Sequence, residues 1–414
     1  MSFFIIFLCI FSKRIITQRS NKNIIIELSL NESDDYLYIQ NKISNDKILV
    51  SQVIDLTSNK TWIDENVIKI LPERMGNQTN KITLLYPENK EIYIKSYYDQ
   101  YIIGNRDNNL ENCSLLNFKF YIKEKNELSQ IPYKGIFGLA KQFDDDNEDF
   151  ILQLYKQKKI EYNLFSLSYY KYGKGNLFIG FYHENLIQFH EYVSYIKLDE
   201  KDEKWRSELT YIFFGELSKE TIPNIDYPKI QYIIRKNIIK ISSSAIFSNL
   251  PKYIICPLSF LEYLNKINYF KGYCQLKNFN NTTYTFECDI NNEKKIYSQV
   301  DIINLVFHDI ACIFSPSELF EKHKDKMIFI FRSDIKLKDE WILGFYFMKK
   351  YMITFFKDLK AISLFSLLDK AYVIIKSDEI NLSKLKTIKF LLLINCIIMY
   401  IGIGVLLIYK NNRT

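Results

Sequence analysis

Glycine and proline are scarce in this chain of 414 residues, at 12 and 8. Turns that need a positive φ therefore fall to Asn and Asp, which tolerate that conformation, and turn boundaries leave little mark in the sequence. Histidine is scarcer still, at 4, and the four do not form a cluster with the cysteines. With no Cys-x-x-Cys either, the expectation is no zinc site, no metal and no cofactor. A basic block is also missing. The 55 Lys and Arg exceed the 48 Asp and Glu by a net +7, but they are spread along the whole length, so no nucleic-acid partner is expected. What is present is 48% hydrophobic and 16% aromatic content with an ordinary 25% charge, enough for two substantial cores and too much for disorder.

Apolar runs mark both ends. Ser2 to Phe11 has the length of a signal-peptide core and is too short to span a bilayer, so residues 1–20 are read as a signal peptide. Phe390 to Tyr409 is free of charge, contains one amide (Asn395) and is flanked by Lys389 and Lys410. It predicts a transmembrane helix over 389–409, after a juxtamembrane segment 376–388 and before a cytosolic tail 410–414. The signal then places residues 21–388 in the lumen or outside the cell, making a single-pass membrane protein. Between the ends, β-branched and aromatic runs with partial alternation predict strands at Asn23–Leu28, Tyr36–Ile39, Ile48–Ile54, Glu91–Tyr98, Asn117–Ile122 and Asn176–Gly180, an all-β pattern. One short capped helix is predicted from Asp149, where apolar residues take helical spacing. Asn-x-Ser/Thr tripeptides begin at Asn31, Asn59, Asn77, Asn112, Asn280, Asn281 and Asn381, which predicts a glycoprotein.

Four stretches carry more specific information. Val53-Ile-Asp55 delivers a carboxylate into Leu56-Thr-Ser58, with Trp62 behind it. Tyr133-Lys-Gly-Ile-Phe-Gly-Leu-Ala140, Ala245-Ile-Phe-Ser-Asn-Leu-Pro-Lys-Tyr-Ile-Ile-Cys-Pro257 and Glu340-Trp-Ile-Leu-Gly344 follow in order. They form an internal repeat: each half has an apolar strand entering a polar turn, then an apolar-apolar-Gly element. In content and order the set resembles the pepsin-like aspartic proteases, over residues 53–356. The resemblance implies a bilobal all-β fold, with an N-terminal lobe at 21–195, a C-terminal lobe at 196–375 and a peptide-sized cleft between them. It further implies that Asp55 and Ser248 face each other across a pseudo-two-fold axis, backed by Gly138 and Gly344. Cys274 and Cys312 stand where that family has its C-terminal-lobe disulfide. The family's flap tyrosine is not assignable: Tyr93, Tyr97, Tyr98 and Tyr101 lie in the expected hairpin, and no Gly follows any of them.

The chemistry of that family needs two carboxylates sharing one proton, one acting as base on a water while the other acts as acid. Here Asp55 is the one retained candidate. Ser248, Asn249 and Leu250 stand where Asp-Thr-Gly is expected, and a hydroxyl cannot hold the shared proton. Leu56 removes a hydroxyl that braces the two turns in the family, and Thr57 and Leu250 add side chains where it keeps Gly. The expected function is therefore an aspartic-protease-like membrane protein, catalytically defective, that binds an extended peptide or protein in its cleft. The alternative is an active aspartic endopeptidase with an unrecognised second acid, Asp226 being the first to consider.

Overall fold

The computed structural model describes residues 24–374 with the exception of 32–35, 44–47, 68–69, 71, 85–89, 103–115, 124–133, 142–148, 170–173, 181–193, 201, 216–217, 222–229, 234–237, 280, 309, 338–339 and 367–371. The expected signal peptide, the 389–409 membrane helix, Cys113 and Asp226 lie outside the described residues. Among the described residues no helix is long and apolar enough to cross a membrane.

Two large sheets, of thirteen and twelve strands, carry the fold. A separate unit holds Ser218–Thr221 and Ile230–Ile233, which pair antiparallel. Every strand expected from the sequence is present, and the hydrophobic runs explain their depth. Leu164–Tyr169, Ile303–Phe307 and Tyr351–Phe356 have almost no exposed position, the pattern of strands covered on both faces. Leu164–Tyr169 pairs with Tyr351–Phe356, Leu167 opposite Ile353, so the last third of the chain completes a sheet begun in the first half. Ala361–Ser366 extends this sheet, with Ser194–Lys197 beyond it.

Each half repeats one interlocked unit. In the first, Ile48–Asp55 runs parallel to Gly135–Gly138, which runs antiparallel to Trp62–Asp64, itself parallel to Leu116–Lys123. In the second, Ile238–Phe247 runs parallel to Trp341–Leu343, which meets Ile254–Ile255 antiparallel, itself parallel to Phe331–Asp334. The expected helix is Phe150–Lys156, capped by Asp149, whose Oδ1 accepts from the Leu152 amide at 2.9 Å. Its first residue anchors it: Phe150 packs edge-on against Phe137 and Phe118 with centroids 4.6 and 4.8 Å away. Burying such a ring contributes about 1.5–3 kcal/mol and fixes the helix to the strand that carries Gly138.

Buried polar contacts fasten the segment after Gly138 to the C-terminal half. Trp205 Nε1 donates to the Leu139 carbonyl at 2.8 Å. Lys357 Nζ donates to the Ala140 carbonyl at 2.7 Å and to Asp149 Oδ2 at 2.5 Å, with both side chains of that ion pair almost fully enclosed.

The disulfide differs from expectation. Cys274 bonds Cys288, and Cys312 is a buried free thiol. Cys274 and Cys288 are directly opposite on the antiparallel strands Cys274–Phe279 and Thr283–Asp289, with Cα atoms 4.2 Å apart. Cys312 instead lies inside Ile310–Phe314, opposite Leu305 in the core. Hairpin register, not position along the lobe, chose the partner. Closing so short a loop constrains the unfolded chain by about 3 kcal/mol in the chain-entropy account.

Candidate active site

Val53 and Ile54 are fully buried and drive their strand into the core, so Asp55 at its end arrives buried as well. The chain then reverses through an Asx turn: Asp55 Oδ1 accepts from the Thr57 amide at 2.7 Å and from the Thr57 hydroxyl at 2.6 Å. Asp55 Oδ2 is enclosed and has no hydrogen-bond partner among the described residues. Burial pushes the Asp55 carboxyl above the ordinary range, against the opposing pull of the Thr57 and Ser58 donors and the distant Lys204 charge.

The backing of the turn depends on a missing side chain. A Cβ on Gly138 would fall 2.7 Å from the Ser58 carbonyl oxygen and 2.6 Å from that of Lys60, closer than such atoms approach. The bare backbone lets the Leu139 amide reach the Asp55 carbonyl at 2.8 Å and the Ala140 amide reach that of Ser58 at 3.0 Å. Gly344 does the same in the other half. A Cβ there would meet the carbonyl oxygens of Pro251 and Tyr253 at 2.3 and 2.0 Å, the same offsets from Ser248 that Ser58 and Lys60 have from Asp55. The Phe345 amide then binds the Pro251 carbonyl at 2.7 Å, and the Ser248 amide binds that of Leu343 at 3.2 Å. Even a cation over a ring recurs with its members exchanged: Lys60 Nζ lies 5.0 Å from the Tyr121 centroid, and Arg332 Cζ 3.1 Å from that of Tyr253.

The two turns meet. Asn249 reaches across, its Oδ1 accepting from the Leu56 amide at 3.1 Å and its Nδ2 donating to the Ile54 carbonyl at 2.8 Å. One partner is a donor and the other an acceptor, which fixes the amide orientation and admits no carboxylate in its place. Ser248 is buried, and its hydroxyl accepts from the Leu250 amide at 3.3 Å. Leu250, which replaces a glycine of the resembled family, enters an apolar cluster of the first half with Val53, Trp62, Ile94, Tyr121 and Ile136. Leu56 is wholly buried in the main core. Both leucines are absorbed as packing. The brace lost with the hydroxyl at position 56 is supplied from the opposite turn by Asn249, a role that sequence reasoning missed. An amide beside Ser248 in a turn was the available signal, but its partners are remote in sequence.

The centre thus contains one carboxyl, one hydroxyl and one amide clamp. Among the described residues the groups that act on the Asp55 carboxyl are Thr57, Ser58 and Lys204, and Oδ2 has no hydrogen-bond partner. Nor is there among them a group of three or more His, Cys, Asp or Glu that could hold a metal. The expected hairpin consists of Met75–Leu84 and Lys90–Ile102. Tyr97 is buried against Phe120 at 5.2 Å, whereas Tyr93 and Tyr98 are exposed.

A family model described as eukaryotic aspartyl protease matches residues 53–367. No curated protein sequence matches the chain. Among solved structures, it is similar to an aspartic proteinase from Irpex lacteus, at 12% identity and a TM-score of 0.61, over 83% of this chain and 97% of that one. It is equally similar to conglutin gamma, a basic 7S globulin from lupine seeds, at 11% identity and a TM-score of 0.62, over 83% of this chain and 94% of that one. The bilobal mostly-β fold is theirs as well. With its interlocked halves, its paired glycine elements and the matched span covering most of its length, the chain belongs to the eukaryotic aspartyl protease family.

Proposed function

We propose that this chain is a catalytically defective aspartic-protease-like protein that binds an extended peptide or protein segment between its lobes. The observation that carries the reading is the unpartnered Asp55 Oδ2: Ser248 occupies the second turn, and the adjacent Asn249 amide is committed to the backbone of the first. A lone carboxyl cannot act as base on water while a partner acts as acid, and losing one acid–base member costs about 10²–10⁴ in rate. Peptide binding needs neither, because main-chain hydrogen bonds and side-chain pockets suffice. The fold leaves both outcomes open, since its neighbours include one protein named a proteinase and another named a seed globulin. The apolar Phe390–Tyr409 run supports anchorage in a membrane by one helix, with the two lobes in the lumen or outside the cell.

The test is a peptide library incubated with the purified protein at acid and neutral pH. No cleavage is expected, while photo-crosslinking peptides label the interlobe surface. Cleavage that Asp55→Ala abolishes would overturn the reading and make Asp226 the first residue to examine as the second acid.

A further inference from the structure

The disulfide-bearing hairpin takes no part in the site, yet it combines three unusual features. Its arms, Cys274–Phe279 and Thr283–Asp289, are in register from Cys274 opposite Cys288 to Phe279 opposite Thr283, and the disulfide crosses the open end. At the closed end Asn281 is exposed, holds a φ of 60°, and begins the tripeptide Asn281-Thr282-Thr283. The arm Cys274–Phe279 pairs only with the other arm among the described residues, and Gln275, Lys277 and Asn278 on it are exposed. A free strand edge of this kind is a template for pairing with another chain.

An Asn-x-Ser/Thr tripeptide is modified on the unfolded chain, so the finished fold acts as a filter, because a branched sugar cannot be buried. Asn59 fails, since it sits part-buried on the Asp55 turn. Asn31 and Asn77 lie within the strands Ile24–Asn31 and Met75–Leu84, and Asn112, Asn280 and Asn381 are outside the described residues. Asn281 passes. It has the left-handed conformation that Asn tolerates and is exposed at the turn. The disulfide is an independent indication, because a bond between Cys274 and Cys288 persists in the oxidising secretory compartment where the glycan transferase acts.

We propose that Asn281 carries an N-linked glycan that shields the free edge of Cys274–Phe279. In its formation the Asn281 Nδ2 attacks C1 of the first sugar of a polyprenyl-pyrophosphate-linked oligosaccharide. The N–C1 bond forms as the C1–O bond to pyrophosphate breaks, the lipid pyrophosphate leaves with the bonding electron pair, and the amide proton passes to a base of the transferase.

The experiment expresses the full chain in a eukaryotic secretory host and maps the Asn281 peptide by mass spectrometry after enzymatic deglycosylation in ¹⁸O water. Expected is conversion of Asn281 to labelled Asp, lost in Thr283→Ala and in Asn281→Gln and retained in Thr282→Ala, which disrupts only the overlapping Asn280 tripeptide. Unmodified Asn281, or a modification lost in Thr282→Ala and kept in Thr283→Ala, overturns the assignment. Light scattering tests the shielding: Thr283→Ala, which lacks the Asn281 glycan, is expected to associate with rising concentration where Thr282→Ala stays monomeric, and equal behaviour of the two would refute that role.

Discussion

Asp55 is held in a place that favours its neutral form. Both donors of Thr57 converge on Oδ1, the enclosed Oδ2 has no partner among the described residues, and burial outweighs the remaining pull toward ionisation. Because the folded state binds this proton more tightly than the unfolded state, its contribution to stability is complete below the ordinary carboxyl range and is lost as pH rises through the raised value. Asp55→Asn removes the titration. We expect the variant to gain on the wild type in urea denaturation midpoint as pH rises from about 4 to 7, and the gap to close in acid. A gap that does not change with pH would refute this account. Asn249 works in the opposite sense. Its two hydrogen bonds join turns distant in sequence, and truncating it would leave two buried backbone groups unsatisfied at about 1–3 kcal/mol each.

At the scale of elements, the strands were legible because their apolar runs are strong, and the two glycine elements because apolar-apolar-Gly recurs behind each turn. The single early helix was legible from Asp149 and the helical spacing after it. Contacts between elements were not legible. The Cys274–Cys288 pairing follows from hairpin register, which the scarcity of Gly and Pro left unmarked. Lys357 gave no signal either, being one lysine among many in sequence although its side chain is almost enclosed in the fold. It links the cap of Phe150–Lys156 to the segment behind Gly138, so its loss leaves the Asp149 carboxylate enclosed without its cation. Lys357→Met should therefore cost about 3–5 kcal/mol in chemical denaturation. Pairing it with Asp149→Ser, which keeps a capping hydroxyl and removes the charge, should recover part of that. A loss below about 1 kcal/mol would show that the pair contributes no more than an exposed one.

For the whole molecule, the repeat was visible in sequence and the asymmetry within it was not. Two halves of similar topology meet through a clamp contributed entirely by the second, with Leu250 of the second also filling an apolar cluster of the first. The halves also share the sheet in which Leu164–Tyr169 lies between Lys174–Ile179 and Tyr351–Phe356. A chain ending at residue 350 should lose most of its soluble fraction, because it leaves the buried strand Leu164–Tyr169 with an open edge; recovery of soluble, monomeric protein from that truncation would show that the edge is covered in some other way.

That shared sheet also sets a clock. At about 5–20 residues per second, Leu164–Tyr169 leaves the ribosome roughly ten seconds or more before Tyr351–Phe356 can reach it. For that interval Leu164–Tyr169 can pair on one edge with Lys174–Ile179, while the edge that Tyr351–Phe356 will cover stays open. The first half is therefore a chaperone client by construction, and synonymous codon changes that slow translation between residues 170 and 350 should lower the yield of folded protein without altering a single contact in it.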